Sequence, residues 1–371
     1  AITPSTMQLN RLKWETTTEY NTGLDASFLK GKLRFTVDVY QKYIKDLLQK
    51  KVKMPTSIGY GNGYEVSYMN SGKMTNKGWE FRVDAVPFEN RDWRVGFYFN
   101  IAHNENKITE MPDNYTEENY TFNNGEYAYR REEGRPMGSF YGYRYKGVCQ
   151  NKDATYARDA DGNVMKDISG NAIVMRNGTA TIAPGDALYE DINHDGVINQ
   201  YDIVYLGNSN PRFTGGAGVN VSYKQFKLSA IFYGRYGQDV VNSTRLNNES
   251  MRGIDNQSTA VLRRWRNEGD QTDIPRALYG EGYNTLGSDR FVEDASYLRL
   301  KSLSFNYRLP KKIIQRWGFS NIDVYVTGYN LFTWTKYTGQ DPEVKTENTY
   351  ARDSATTPAS IQLVAGFNLS F

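Results

Sequence analysis

The chain has 371 residues, enough for two or three soluble domains or one large closed sheet. Its 45 basic and 42 acidic residues leave a net charge of only +3, which gives no electrostatic footprint for nucleic acid. No apolar run approaches the roughly 20 residues that a membrane-spanning helix needs, so any crossing of a membrane must be by strands.

Hydrophobic residues make up 39% of the chain, and 29 Tyr, 17 Phe, 6 Trp and 33 Gly stand among them. With a mean hydropathy of −0.68, that mix suits a barrel with one apolar face per strand, aromatic girdles and many turns. The single cysteine, Cys149, excludes an internal disulfide and a multi-cysteine metal site. The chain starts at Ala1-Ile2-Thr3-Pro4 without a recognisable leader and reads as a mature chain or a fragment.

In chain order, Thr17 to Phe28 and Leu33 to Leu47 read as a hairpin joined by Leu29-Lys30-Gly31-Lys32. Leu33, Phe35, Val37 and Val39 oppose Arg34, Thr36, Asp38 and Tyr40, a period of two. After a stretch of breakers, Glu80 to Phe88 turns at Glu89-Asn90-Arg91-Asp92 into Trp93 to Lys107. There Trp93, Val95, Phe97, Phe99 and Ile101 share one face, which calls for a continuous apolar partner such as lipid or a sandwich core.

A third hairpin covers Phe213 to Phe232 with its connection near Lys224-Gln225. Tyr297 to Leu309, Ile322 to Thr333 and Leu363 to Phe371 complete the set. Tyr297 to Leu309 carries a conflict, because Arg299 and Lys301 share a face with Leu303, Phe305 and Tyr307. The last strand alternates Leu363, Ala365, Phe367, Leu369 and Phe371 against polar or small residues and ends on an aromatic, as barrels commonly close. Phe140 to Val148 is a strand-like piece inside a long excursion, and Thr259 to Asn267 reads as a short helix that solvates Arg263, Arg264 and Arg266.

Connections alternate between short and very long, the pattern of outer-membrane barrels with periplasmic turns and extracellular loops. The fold class is therefore all-β: a partial antiparallel transmembrane β-barrel of about nine crossing strands. Extracellular loop regions are expected at about 48–75, 108–210, 239–296 and 334–359. Nine is odd, whereas bacterial single-chain barrels have even counts. A separate N-terminal portion of the same barrel is expected to supply the rest, leaving Leu363 to Phe371 unpaired on one edge or paired outside this chain.

The sharpest local motif runs from Asp191 to Asp202. Asp191, Asn193 and Asp195 match positions 1, 3 and 5 of a twelve-residue calcium loop, Gly196 its sharp turn, Val197 its carbonyl ligand and Asp202 its last position. Position 12 holds Asp where an EF-hand has Glu, and neither flank reads as an EF-hand helix. Bound calcium is one reading, and a metal-free turn built by the same Asp and Asn residues is the other. Catalysis finds no support: His103 and His194 are the only histidines, and neither sits in a nucleophile motif. Arg94, Tyr98, Asn100, Asp38 and Tyr40 fall on the polar face, to be solvated in a wide barrel interior or to line a path through it, and Tyr115, Tyr120 and Trp334 in the extracellular loops would stack on a ligand or pack loop against loop.

The order of motifs resembles the SusC/RagA-like TonB-dependent transporters of Bacteroidetes outer membranes. The matching stretches are Asn70-Ser71-Gly72 through Gly78-Trp79-Glu80, Gly134-Arg135-Pro136-Met137-Gly138-Ser139-Phe140-Tyr141-Gly142-Tyr143 and Pro184-Gly185-Asp186 with the Asp191 loop. Gly207-Asn208-Ser209-Asn210-Pro211, Tyr297-Leu298-Arg299-Leu300 and the terminal Gly366-Phe367-Asn368-Leu369-Ser370-Phe371 follow in the family's order. The resemblance implies a 22-stranded barrel preceded by a plug domain, neither plug nor early strands lying in this chain. It further implies a SusD-like lid lipoprotein, drive by TonB through a segment outside this chain, and oligosaccharide or peptide substrates. The alternative is a secreted, soluble, β-rich glycan-binding protein with a calcium-stabilised loop.

Overall fold

The computed structural model describes residues 12–53, 65–70, 72–111, 127–128, 131–347 and 350–371. Nine long strands form one antiparallel sheet in strict sequence order. They are β1 (Thr16–Phe28), β2 (Leu33–Lys45), β3 (Lys73–Glu89), β4 (Trp93–Glu110), β5 (Phe213–Tyr223), β6 (Phe226–Tyr236), β7 (Tyr297–Arg308), β8 (Asn321–Thr335) and β9 (Gln362–Ser370). The first and last do not pair with each other, so the sheet is open and each edge strand has a single neighbour among the described residues. A partial transmembrane barrel is what this arrangement amounts to.

Period-two alternation decides which way each strand faces, and the register carries it across the sheet. Trp93, Val95, Phe97, Phe99 and Ile101 of β4 pair with Tyr223, Val221, Val219, Ala217 and Gly215 of β5. These pair in turn with Phe226, Leu228, Ala230, Phe232 and Gly234 of β6. An apolar belt thus runs across strands far apart in sequence, and its large side chains stay exposed, Phe99 at 40% and Phe305 at 47%. Lipid is the partner that such a face requires.

Aromatic rings mark both edges of the belt. Trp93, Tyr223 and Phe226 stand at one end, with Trp93 and Tyr223 rings 4.3 Å apart. His103, Phe213 and Tyr236 stand ten positions away on the same three strands, in register with one another. At about 3.4 Å per residue and a tilt near 45°, ten residues span roughly 24 Å, the height of an outer-membrane apolar band.

A β-bulge resolves the conflict in β7. Ile231 pairs with Ser302 but Phe232 pairs with Leu300, so Lys301 is the extra residue and parity changes there. Arg299 then lies across from Tyr233 on the polar face, while Leu303 and Phe305 keep the lipid face. Both cations turn to one acid: Arg299 Nη1 and Lys301 Nζ each lie 2.8 Å from Glu343.

The long connections are not loose. The one after β2 forms its own hairpin, Leu48–Lys53 with Glu65–Asn70. Those after β4, β6 and β8 pack into a shared cap at the end of the sheet away from the short turns. Phe140 from the first meets Val241, Leu246 and Phe291 from the second. Val240 and Ala295 of the second meet Tyr337, Val344 and Ala351 of the third. The stretch expected as one strand-like piece is two short strands, Ser139–Gly142 and Tyr145–Val148, and the expected helix is a 3-10 turn over Thr259–Arg263.

Candidate functional site: the polar wall and the cap

Arg94, Tyr98, Asn100, Asp38 and Tyr40 all stand on the polar face, as their alternation requires. Tyr40 donates to Asn104 Oδ1 at 3.0 Å, and Tyr98 carries the Arg82 guanidinium 5.5 Å from its ring centroid. Arg94 lies 3.7 Å from Glu89. Asp38 stands across from Glu80 in register, with its carboxylate over Gly23 of the strand on its other side.

The wall also brings together residues that the sequence reading passed over: Arg34, Arg82 and Lys227. They line a recess of about 760 Å³ with Asp84, Arg94, Gly96, Asn220 and Ser222. Their alternation was legible strand by strand, but their meeting depends on the register of five strands.

Trp334 is not a loop ring. It is the second-last residue of β8, paired with Leu298 on the lipid face, with its ring 6.2 Å from that of Phe332. Tyr115 and Tyr120 lie outside the described residues.

Several motifs gain a physical meaning in the cap. Gly185 takes φ +90, and a Cβ there would come 2.3 Å from the Trp265 ring, so glycine is required. Next to it Asp186 is fully buried. It accepts from Arg276 Nε at 2.7 Å, Asn284 Nδ2 at 3.1 Å and the Ala183 N–H at 2.8 Å. Phe140 and Tyr141 are fully buried, and Gly142 packs against the Gly287 carbonyl. Ser209 holds the third connection by accepting the Ala351 N–H at 2.5 Å, while Asn210 donates to the Met137 carbonyl at 2.6 Å. These motifs are buckles between connections.

Asp186→Ala should therefore loosen the cap by about 3 kcal/mol, since it strands a partly buried guanidinium and an amide. Thermal unfolding of purified protein measures the loss, and Asp186→Asn should recover only part of it.

The Asp191–Asp202 loop has the backbone of a tight acidic turn. His194 takes φ +56 and Gly196 φ +81. Asp191 accepts from the Gly196 N–H at 2.8 Å, and Asp195 from the Val197 N–H at 2.8 Å. Asp202, fully buried, closes the loop by accepting from Ile192 and Asn199, both at 2.8 Å. Burial and the neighbouring Asp191 and Asp195 push its carboxyl up, although those two N–H groups pull it down. Among the described residues no three His, Cys, Asp or Glu side chains group as a metal cluster. The donor set on offer is instead mixed carboxylate, Asn193 amide and Val197 carbonyl oxygen, which is calcium chemistry by type.

Groups suited to covalent chemistry are placed elsewhere. Cys149 is buried, and burial pushes its thiol up to about 11, so it is a poor nucleophile. His103 sits on the lipid face against Phe213, ring centroids 5.2 Å apart, with Nδ1 2.6 Å from the Arg212 carbonyl. His194 is exposed in the acidic loop.

Residues 2–331 match the family model described as TonB dependent receptor-like, beta-barrel. The chain belongs to that family. It is 32% identical over 349 residues to TonB-dependent receptor P3 of Formosa agariphila, covering 91% of this chain and 32% of that protein. With TonB-dependent receptor SusC of Bacteroides thetaiotaomicron it shares 27% over 370 residues, 97% of this chain and 32% of SusC. Among solved structures it superposes on the RagAB peptide transporter with a TM-score of 0.71 at 27% identity, over 99% of this chain and 36% of that one. The chain thus spans about a third of the length of these relatives. They are receptors and transporters by name, and an outer-membrane barrel family leaves the soluble glycan-binding alternative without support.

Proposed function

We propose that this chain forms part of the wall and extracellular cap of a nutrient importer of the outer membrane, crossing it with nine strands. Oligosaccharides or peptides are its cargo, TonB acting through a part of the protein outside these residues supplies the drive, and a SusD-like lipoprotein lies over the cap as a lid. The observation that carries this reading is the match to RagAB, described as a peptide transporter, over 99% of the chain, cap included. The test is uptake of labelled oligosaccharides and peptides by cells that lack the gene and by cells carrying the full-length gene on a plasmid. Uptake that does not depend on the gene, or that persists without TonB, would overturn the reading.

The second part of the proposal is that the Asp191–Asp202 loop takes calcium through Asp191, Asn193, Asp195, Val197 and Asp202. The oxygen-only donor set and the turn at Gly196 support it. Bound calcium would neutralise carboxylates that otherwise repel one another. Isothermal titration with CaCl2 should show one site, absent in Asp191→Ala, and calcium should raise the melting temperature of the unsubstituted protein. No heat of binding and no thermal shift would assign the loop to its hydrogen bonds alone.

A further inference from the structure

We infer that the connection between β7 and β8 is a membrane foot that binds anionic phospholipid headgroups in the leaflet at the short-turn rim. The inference rests on the outer-membrane reading above and adds a lipid partner to it.

Leu309 to Ser320 is the longest connection at that rim. An α-helical turn over Lys311–Ile314 runs on into a 3-10 turn over Gln315–Trp317. Its side of the sheet follows from Ile322, which pairs with Leu369 one row beyond Val324 and Phe367 and so has the parity of the lipid face. Yet Ile322 is 8% exposed, against 43% for Val324 and 42% for Leu369. An outward-facing side chain is covered only from outside, and the helical turn is the segment that packs on β8 there, with Ile314 fully buried. The backbone fastens it. The Leu309 N–H donates to the Ile322 carbonyl at 2.9 Å, the Phe319 N–H to the Ile314 carbonyl at 3.2 Å and the Ser320 N–H to the Ser370 carbonyl at 2.7 Å. The turn therefore stands on the lipid side, away from the lumen and whatever occupies it.

With Ile314 against the sheet, about 3.6 residues per turn sets the other side chains. Lys312 and Arg316, four apart, point away from the sheet, while Ile313 and Trp317, also four apart, share a flank. All four are exposed, Ile313 at 45% and Trp317 at 60%. An apolar flank beside a cationic one is the pattern of a helix lying in a membrane interface, where tryptophan is at home. That flank continues the lower aromatic row of the lipid face, Trp93, Tyr223, Phe226 and Tyr307. Charge decides which lipid fits. Lys224 of the neighbouring turn joins Lys311, Lys312 and Arg316, because the Arg308 N–H donates to the Gln225 carbonyl at 2.9 Å and brings the two connections side by side. Among the described residues none of these four cations has an ion-pair partner, and the nearby Asp323 is taken by Arg308 at 2.9 Å. Such a cluster favours a headgroup of net negative charge, such as phosphatidylglycerol, over a zwitterionic one.

The test places full-length protein in phosphatidylcholine nanodiscs in which a small, equal fraction of the lipid is brominated phosphatidylglycerol or brominated phosphatidylcholine. Bromine quenches nearby tryptophan, and the difference from Trp317→Phe isolates the Trp317 signal. Brominated phosphatidylglycerol should quench Trp317 about 5-fold more strongly than brominated phosphatidylcholine. Lys311→Gln with Lys312→Gln and Arg316→Gln should bring that ratio below about 2, and 0.5 M NaCl should lower it as well, since the Debye length falls to roughly 4 Å. Lys336→Gln, at the opposite end of the sheet, removes one charge too and should leave the ratio unchanged. Equal quenching by the two lipids, or a preference that survives the triple variant, would overturn the site. So would a Trp317 that neither lipid quenches, which would leave the turn to a soluble protein partner. Protein that stays monodisperse without detergent or lipid would overturn the outer-membrane reading and the site with it. Uptake that does not depend on the gene, with the lipid preference intact, would sink the importer reading and leave the foot standing.

Discussion

Phe99→Arg should prevent most of the protein from reaching a folded, membrane-inserted state. Phe99 sits near the middle of the apolar belt, across from Val83 and Ala217. A guanidinium near the bilayer midplane costs about 2–4 kcal/mol, beyond the lost contact of a phenyl ring with lipid. Heat-modifiable migration on gels reports the folded fraction. Asn100→Arg, one residue on, faces the wall's polar side and should leave that fraction nearly unchanged. Equal damage from both substitutions would mean that the assignment of faces is wrong.

The second large effect is expected at Arg299, whose side chain is 3% exposed. It donates to Asp341 Oδ1 at 2.5 Å, Glu343 Oε2 at 2.8 Å and Thr333 Oγ1 at 2.8 Å, tying β7 to the connection after β8. Arg299→Ala takes from Asp341 its only cation among the described residues and leaves Glu343 to Lys301 alone, a loss of about 3 kcal/mol for groups that keep some access to water. Arg299→Lys should not restore it, because one ammonium cannot reach three acceptors in different directions. Protease nicking between residues 336 and 361 reads the loosening.

The same network sets an acid limit. Burial would raise the Asp341 carboxyl, but the N–H groups of Ala359 and Glu343 and the Arg299 guanidinium outweigh it and hold the group below its ordinary value. A carboxyl lowered on folding adds stability above its unfolded pKa, about 3.9, and loses it as pH falls through the folded value. Nicking of this connection should therefore rise only below about pH 4 and be unchanged between pH 5 and 8. In Arg299→Ala the onset should move to higher pH.

How much could be read from the sequence differs between wall and cap. Thr16–Phe28 and Trp93–Glu110 differ by only a few residues from the strands that alternation alone suggested. Period two is a property of neighbouring residues, and an apolar face needs no distant partner to be recognised. Lys73–Glu89 is longer than expected at its start, because Lys73 to Trp79 owe their extension to pairing with His103 to Glu110 and not to their own pattern. The calcium-type spacing was equally visible, being contiguous. In the cap, by contrast, Asp186 meets Asn284 across 98 positions and Ser209 meets Ala351 across 142. No local signal marks such pairs.

By itself, then, the sequence determined the faces of all the long strands but β7, their number, the short and long connections and the acidic loop, all of which depend on residues close together in the chain. Only the tertiary structure decided that Lys301 is bulged so that Arg299 turns inward, and that three long connections share one core. It alone gathered Arg34, Arg82, Arg94 and Lys227 around one recess. Each of these rests on register or on contacts between distant segments, where closing the chain and burying a charge are balanced over many residues at once.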